Sequence, residues 1–200
     1  MIIGVVTRNQ LSEEGNSIDV IYKDISSAVK NNGGIPIGII LNNDYKKVLN
    51  ICDGVIFQGG DEIYHYDLDA LKYLHQKDIP VLGICLGMQE MGILFNGKLG
   101  SNINHKKKLS YAHSVYIKTN SKLANILNEN IIKVNSRHKD YLASTDLSIV
   151  GISNDGIIEA IEDKNKKFFI GVQWHPESMI TYDNIQNKIF EKFIKVCQNK

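Results

Sequence analysis

The residues with the clearest chemical meaning are Gly83-Ile84-Cys85-Leu86-Gly87. An apolar run from Val81 to Ile84 ends on the cysteine, and a helical pattern begins at once. A tight strand-to-helix turn of this kind lifts a nucleophile out of a sheet in a strained conformation. Strand and helix then approach so closely that side chains two positions either side are unwelcome. Glycines at 83 and 87 meet that need. A cysteine at a helix N-terminus also gains from the dipole, which favours the reactive thiolate. Cysteine is often only a small core residue, so a second motif must decide. Ninety residues on, Phe168-Phe169-Ile170-Gly171-Val172 runs into Gln173-Trp174-His175-Pro176-Glu177. Residues i and i+2 of an extended chain point the same way. Glu177 can therefore reach one ring nitrogen of His175 and fix its tautomer, leaving the other nitrogen for a nucleophile. Cysteine, distant histidine and orienting acid are the parts of a thiol acyl-transfer site.

These residues must be positioned by the elements around them. Residues 2–7 and 35–40 read as short apolar strands, as do residues 54–57 and 80–84. Ile18, Ile21, Tyr22, Ile25, Ala28 and Val29 recur at helical spacing, and Gly33-Gly34 ends that helix. A short helix is expected over residues 43–50, and Leu68, Leu71 and Leu74 mark another. Residues 8–17 read as a polar loop. Alternating strand and helix favour a parallel sheet covered on both faces. After the elbow helix, from Leu86 to about Phe95, a polar loop over residues 97–110 carries Lys106, Lys107 and Lys108. A charge run of this kind is by default a solvated face. Short strands follow at 112–118, 131–134, 147–152, 157–161 and 167–172, with Asn154-Asp155-Gly156 as a hairpin turn. A helix over residues 183–196 closes the chain. The expected class is α/β: a mostly parallel sheet flanked by helices with a nucleophile elbow, plus short antiparallel strands in the second half. One domain over residues 1–200 is expected.

Bulk properties narrow the function. The 200 residues are 43% hydrophobic and 22% charged, with a formal net charge of +1, which argues for neither nucleic acid nor membrane. No apolar run approaches the ~20 residues that span a bilayer. The three cysteines, Cys52, Cys85 and Cys197, are too few and too scattered for a disulfide framework. A free thiol suits a reducing cytoplasm, and a cytoplasmic location is expected. The histidines, at 65, 75, 105, 113, 138 and 175, show no His-x-x-x-His or Cys-x-x-Cys pairing. No metal and no cofactor are therefore expected. The partner expected is a small molecule; homo-oligomerisation is left open.

GICLGMQE and GVQWHPE together resemble the class I glutamine amidotransferase superfamily, with its flavodoxin-like fold and its Cys-His-Glu triad. IIGVVTR, NNGGIPIGI, DGVIFQGGDE, VNSRH and ISNDGIIEAIE are similar, in the same order, to its γ-glutamyl hydrolase branch. The resemblance spans nearly the whole chain. It implies a catalytic Cys85, His175 and Glu177, and an oxyanion hole from the main chain of Gly60 and Leu86. It also implies glutamyl-binding roles for Gln89 and for the main chain around Ser136, Arg137 and His138. The implied reaction is hydrolysis of a γ-glutamyl amide to glutamate and an amine. Hydrolases of γ-glutamyl-GABA belong to this branch, as do hydrolases of γ-glutamyl-CDP-amidate from bacterial capsule phosphoramidate synthesis. The alternative is a glutaminase subunit that passes ammonia to a separate synthase.

Three departures concern the leaving group rather than the triad. Met88 stands where amidotransferase subunits usually carry histidine. Arg137-His138-Lys139-Asp140 replaces the x-His-His-Gln usual in the GABA-releasing enzymes. The loop after Gly59-Gly60 is also shorter than usual. Arg8 and Arg137 are the only arginines among 23 basic residues, and arginine's planar fork suits phosphate or carboxylate. With Lys139 and the lysine run nearby, an anionic leaving group is one expectation for Arg137; a solvent-facing arginine is the other. Arg8 follows the first strand and is expected to face the same crevice.

Overall fold

A computed structural model describes residues 1–41 and 44–198. In chain order the elements are β1 (Ile2–Val6), β2 (Arg8–Leu11), β3 (Ser17–Val20), α1 (Lys23–Asn31), β4 (Ile35–Ile39), α2 (Tyr45–Leu49), β5 (Gly54–Phe57), α3 (His65–Gln76), β6 (Val81–Ile84) and α4 (Leu86–Leu94). The second half comprises β7 (Lys98–Ser101), β8 (His113–Ile117), α5 (Lys122–Leu127), β9 (Ile131–Val134), β10 (Asp140–Ser144), β11 (Ser148–Ser153), β12 (Ile158–Glu162), β13 (Phe169–Val172) and α6 (Asn184–Cys197). Single 3-10 turns occupy Ile103–His105 and Pro176–Ser178.

One large sheet runs in the order β4-β1-β5-β6-β13-β12-β11-β8-β9. The strands from β4 to β13 are mutually parallel, and from β13 onward each neighbour is antiparallel. The parallel half is apolar on both sides because helices cover both. Ile3, Val5, Ile56, Leu82 and Ile170 pack with residues of α1, α5 and α6. Val55, Phe57, Val81 and Phe169 pack with residues of α2, α3 and α4 on the opposite face. The half from β4 to β13 is the doubly covered parallel sheet expected, and the expected antiparallel strands of the second half extend it.

Several local expectations need correction. Residues 8–17 are not a loop: β2 and β3 form a separate antiparallel hairpin. Ile18 belongs to β3, and α1 begins only at Lys23, so its helical spacing with Ile21 and Ile25 was coincidental. Residues 97–110 contain β7, which pairs with β10; neither strand was expected. The expected helix over residues 43–50 is Tyr45–Leu49, and Asn43 lies outside the described residues. The turn at Asn154-Asp155-Gly156 does join β11 to β12, with Gly156 at φ +88°. Among the described residues, no helix is long and apolar enough to cross a membrane.

Candidate active site

Cys85 sits between β6 and α4 at φ 53° and ψ −103°, a strained backbone for a residue with a side chain. Its N–H donates to the Val172 carbonyl at 2.8 Å, so the turn is pinned to β13. The flanking glycines are required sterically. A Cβ at Gly87 would lie 2.1 Å from the Phe57 carbonyl oxygen. One at Gly83 would lie 2.8 Å from the Gly87 backbone. Met88 is fully buried and packs over Gly171 of β13.

The adjacent strand supplies the imidazole. β6 and β13 pair in parallel with Ile84 opposite Val172, which brings the segments after both strands to the same sheet end. His175 Nδ1 lies 2.7 Å from Glu177 Oε1. Cys85 acts on the same ring and favours its charged form. A Cβ at Gly59 would sit 2.9 Å from His175 Cε1 and 3.6 Å from Cys85 Cβ, so the two groups converge where residue 59 has no side chain. Burial alone would lower the pKa of His175. The negative charges of Glu177 and Cys85 outweigh burial and push it up to about 10. The arrangement therefore favours an imidazolium beside sulfur, the charge state a thiol nucleophile requires.

Two further residues hold this pair, and sequence reasoning did not single them out. Asn135, 1% exposed, clamps the His175 main chain from both sides. Its Nδ2 donates to the His175 carbonyl at 2.9 Å, and its Oδ1 accepts from the His175 N–H at 2.8 Å. Gln173 donates from Nε2 to Cys85 Sγ at 3.5 Å and accepts at Oε1 from Gln89 at 3.1 Å. Trp174 between them is fully buried and anchored through Nε1 to Gln186 Oε1 of α6 at 2.8 Å.

A cleft of about 280 Å³ opens over the sulfur, lined by Tyr22, Asp24, Gly59, Gly60, Asp61, Cys85, Arg137, His175, Glu177 and Ser178. It lies beyond the carboxyl ends of the parallel strands, where ligands of such sheets bind. Gly60 packs against Leu86: a Cβ there would lie 2.9 Å from Leu86 Cδ2. Arg137 donates from Nη1 to Ser178 Oγ at 3.0 Å. The same two residues also border a second cavity of about 710 Å³ lined by Lys106, Lys107, Lys108, Leu109, Ser110 and Tyr182.

Other expected site residues lie elsewhere. Gln89 is 4% exposed, its amide nitrogen spent on the Asp140 carbonyl and on Gln173. Ser136 is fully buried and donates from Oγ to the His105 carbonyl. His138 is buried beside Glu159 and donates from Nδ1 to the Asp140 carbonyl at 3.1 Å. None of these three side chains lines the cleft. Arg8 does not offer its fork to the crevice. It donates to Asp67 at 3.0 Å, to Glu90 at 2.8 Å and twice to the Gln58 carbonyl. Burial made that internal pairing necessary, since an unpaired buried guanidinium costs far more than the pairing does.

Comparison with known proteins gives a consistent picture. Residues 64–177 match the profile of the family described as Peptidase C26. A glutamine amidotransferase of Schizosaccharomyces pombe is 32% identical, over 81% of this chain and 76% of its own length. A glutamine amidotransferase-like protein of Rickettsia prowazekii is 28% identical over 89% of both. Among solved structures, a GMP synthase subunit from Thermoplasma acidophilum superposes with a TM-score of 0.75 at 20% identity, covering 99% of this chain and 94% of that one. That last likeness is one of fold.

Proposed function

Because this chain belongs to the Peptidase C26 family of glutamine amidotransferase-like proteins, we propose that it hydrolyses γ-glutamyl amides through Cys85, His175 and Glu177. The observation that carries this reading is the convergence of an imidazole, held by a carboxylate at 2.7 Å, on a cysteine with positive φ. The Cys85 thiolate attacks the γ-carbonyl carbon, and negative charge develops on its oxygen. The main-chain N–H groups of Gly60 and Leu86 receive that charge; Leu86 is the first residue of α4, whose N–H has no partner within the helix. His175 gives its proton to the departing amine. It then takes one from water, which attacks the thioester, and glutamate and free thiolate result. Asp24 and Asp61 line the cleft, and in this reading they receive the glutamyl ammonium.

The leaving group is anionic in this reading. Arg137 stands between the catalytic cleft and the cavity that carries three consecutive lysines. An amine bearing phosphate would extend from one to the other, and γ-glutamyl-CDP-amidate is the case to assay beside γ-glutamyl-GABA. Incubating the protein with a panel of γ-glutamyl amides and detecting free glutamate, with Cys85→Ala as the inactive control, tests the reaction. Arg137→Ala tests the leaving group: turnover of a phosphoramidate should fall at least tenfold more than that of an uncharged amide. Equal losses on both substrates would remove the anionic assignment.

The fold shared with a GMP synthase component favours a second reading, a glutaminase that feeds ammonia to a separate synthase. It requires glutamine hydrolysis to be slow for the chain alone and to rise when a synthase is added.

A further inference from the structure

The chain holds a second cluster of chemically capable side chains that the reaction above does not use. His105, from the 3-10 turn, His113 at the start of β8, His138 after β9, and Glu159 in β12 meet in the interior. Their side chains are 4%, 6%, 2% and 0% exposed. Three ring nitrogens aim at one carboxylate oxygen. Glu159 Oε1 lies 3.0 Å from His113 Nε2, 3.6 Å from His105 Nδ1 and 3.6 Å from His138 Nε2. The two contacts of 3.6 Å are too long for a hydrogen bond, and the 3.0 Å contact of His113 does not form one. His105 Nδ1, His113 Nε2, His138 Nε2 and both Glu159 oxygens have no hydrogen-bond partner among the described residues. Leaving so many polar atoms unsatisfied in one buried place costs about 1–3 kcal/mol for each group, so the cluster calls for something that bonds them all.

A small cation does so. Around a tetrahedral zinc ion with bonds of ~2.0–2.1 Å, donor atoms stand roughly 3.3 Å apart; the three ring nitrogens here lie 3.0, 3.6 and 3.6 Å from Glu159 Oε1. Donor atoms of His105, His113 and Glu159 already lie within 4.8 Å of one another. The outer nitrogens of His105 and His138 follow the pattern of metal-bound histidine, in which the remote ring nitrogen is held by a carboxylate or carbonyl; His113 Nδ1 has no such partner among the described residues. His105 Nε2 lies 2.7 Å from Asp155 Oδ2, and His138 Nδ1 lies 3.1 Å from the Asp140 carbonyl. Those bonds leave the inward nitrogens of both rings free to present a lone pair.

We propose that His105, His113 and Glu159 bind a divalent transition-metal ion of the zinc type, with His138 as the fourth donor. Nitrogen and carboxylate donors without sulfur suit zinc and its neighbours. The burial of all four side chains points to a structural ion rather than a catalytic one. It would tie the turn that precedes the lysine run to the segment that carries Arg137. Those two stretches already touch through Ser136 Oγ on the His105 carbonyl and through the bridge between Lys106 and Arg137.

The probe is zinc alone. Chain stripped with a chelator and dialysed is titrated with zinc chloride by calorimetry, and retained metal is counted by elemental analysis. One zinc per chain is expected for the wild type and for Cys85→Ala. Affinity should fall at least about 100-fold in His113→Gln and in Glu159→Gln, since even supporting residues around a metal are worth ~10–100-fold. If both variants fail to fold by circular dichroism, cobalt(II) on the wild-type chain decides. A four-coordinate visible spectrum without thiolate charge transfer supports the site; a six-coordinate spectrum or a thiolate-to-cobalt band overturns it. Absence of stoichiometric zinc on the wild type, loss of binding in Cys85→Ala, or unchanged affinity in the folded variants overturns it equally.

Discussion

Replacing Asn135 with alanine removes both hydrogen bonds that hold the main chain of His175. The side chain is buried, so water does not freely replace it. Each lost bond is worth about 1 kcal/mol net, and each backbone group left unsatisfied adds up to a further ~1–2 kcal/mol. A total of about 2–6 kcal/mol follows. For a chain of this size that is a drop in Tm of roughly 4–24 °C, at ~2–4 °C per kcal/mol. The effect on rate has a different origin. The Asn135 clamp acts one residue before Pro176 and the Glu177 partner, and it sets where the imidazole stands relative to sulfur. A displacement of about 1 Å costs on the order of 100-fold. Release of glutamate from a γ-glutamyl amide should therefore fall ~30–100-fold in kcat, with KM changed much less. Asn135→Asp keeps the acceptor for the His175 N–H and loses only the donor, so it should fall between wild type and alanine. If Asn135→Ala lowers Tm as expected but leaves kcat within threefold, the residue supports the fold and does not position the imidazole.

Three other outcomes can be checked on the same preparations. Glu177→Gln removes the charge that raises His175, so the ring pKa, read by NMR of the ring nitrogens, should fall well below about 10. The stability that this raised pKa confers on the wild type is complete below pH ~6.5 and lost as pH rises through about 10, so the variant's stability should change less across that window. Glu90 is held near pKa 8 by burial and by Asp67, against the pull of Arg8. Its contribution is present below pH ~4.5 and is lost as pH rises through about 8; urea midpoints of Glu90→Gln should shift less than those of the wild type between pH 5 and 8. Gly87→Ala places a methyl carbon against the rigid Phe57 carbonyl, and should cost more than ~2 kcal/mol in urea unfolding along with nearly all activity.

The parts of this fold that were readable are those where burial imposes a pattern. β5, β6 and β13 are buried along their whole length, and their apolar runs announce them. The elbow was readable because two glycines are needed within contact distance of one backbone. β2 and β3 were missed because they pack against little: Leu11 is 74% exposed, and no alternation distinguishes the hairpin from a loop. β7 and β10 were missed for a related reason, since Lys98, Leu99, Ala143 and Ser144 face solvent and carry no strand signature. Arg8 is expected from the sequence to face the crevice, but its fork is spent on Asp67, Glu90 and Gln58, which the sequence does not connect to it. The histidine cluster was invisible for the same cause. His105, His113 and Glu159 lie on three separate elements and His138 in the segment between β9 and β10, and no short spacing motif relates them.

In the proposed reaction the two partners, Cys85 and His175, follow two neighbouring strands that meet only through contacts nearly ninety residues apart in the chain. Sliding β13 by one position along β6 would turn Gln173 and His175 to the opposite side of the sheet. Catalysis is thus a reporter of completed assembly: a partly collapsed chain with every helix in place would still be silent. Two fragments parted within the intervening loops would each be inert, and the return of turnover on mixing them would time the closing of this one seam.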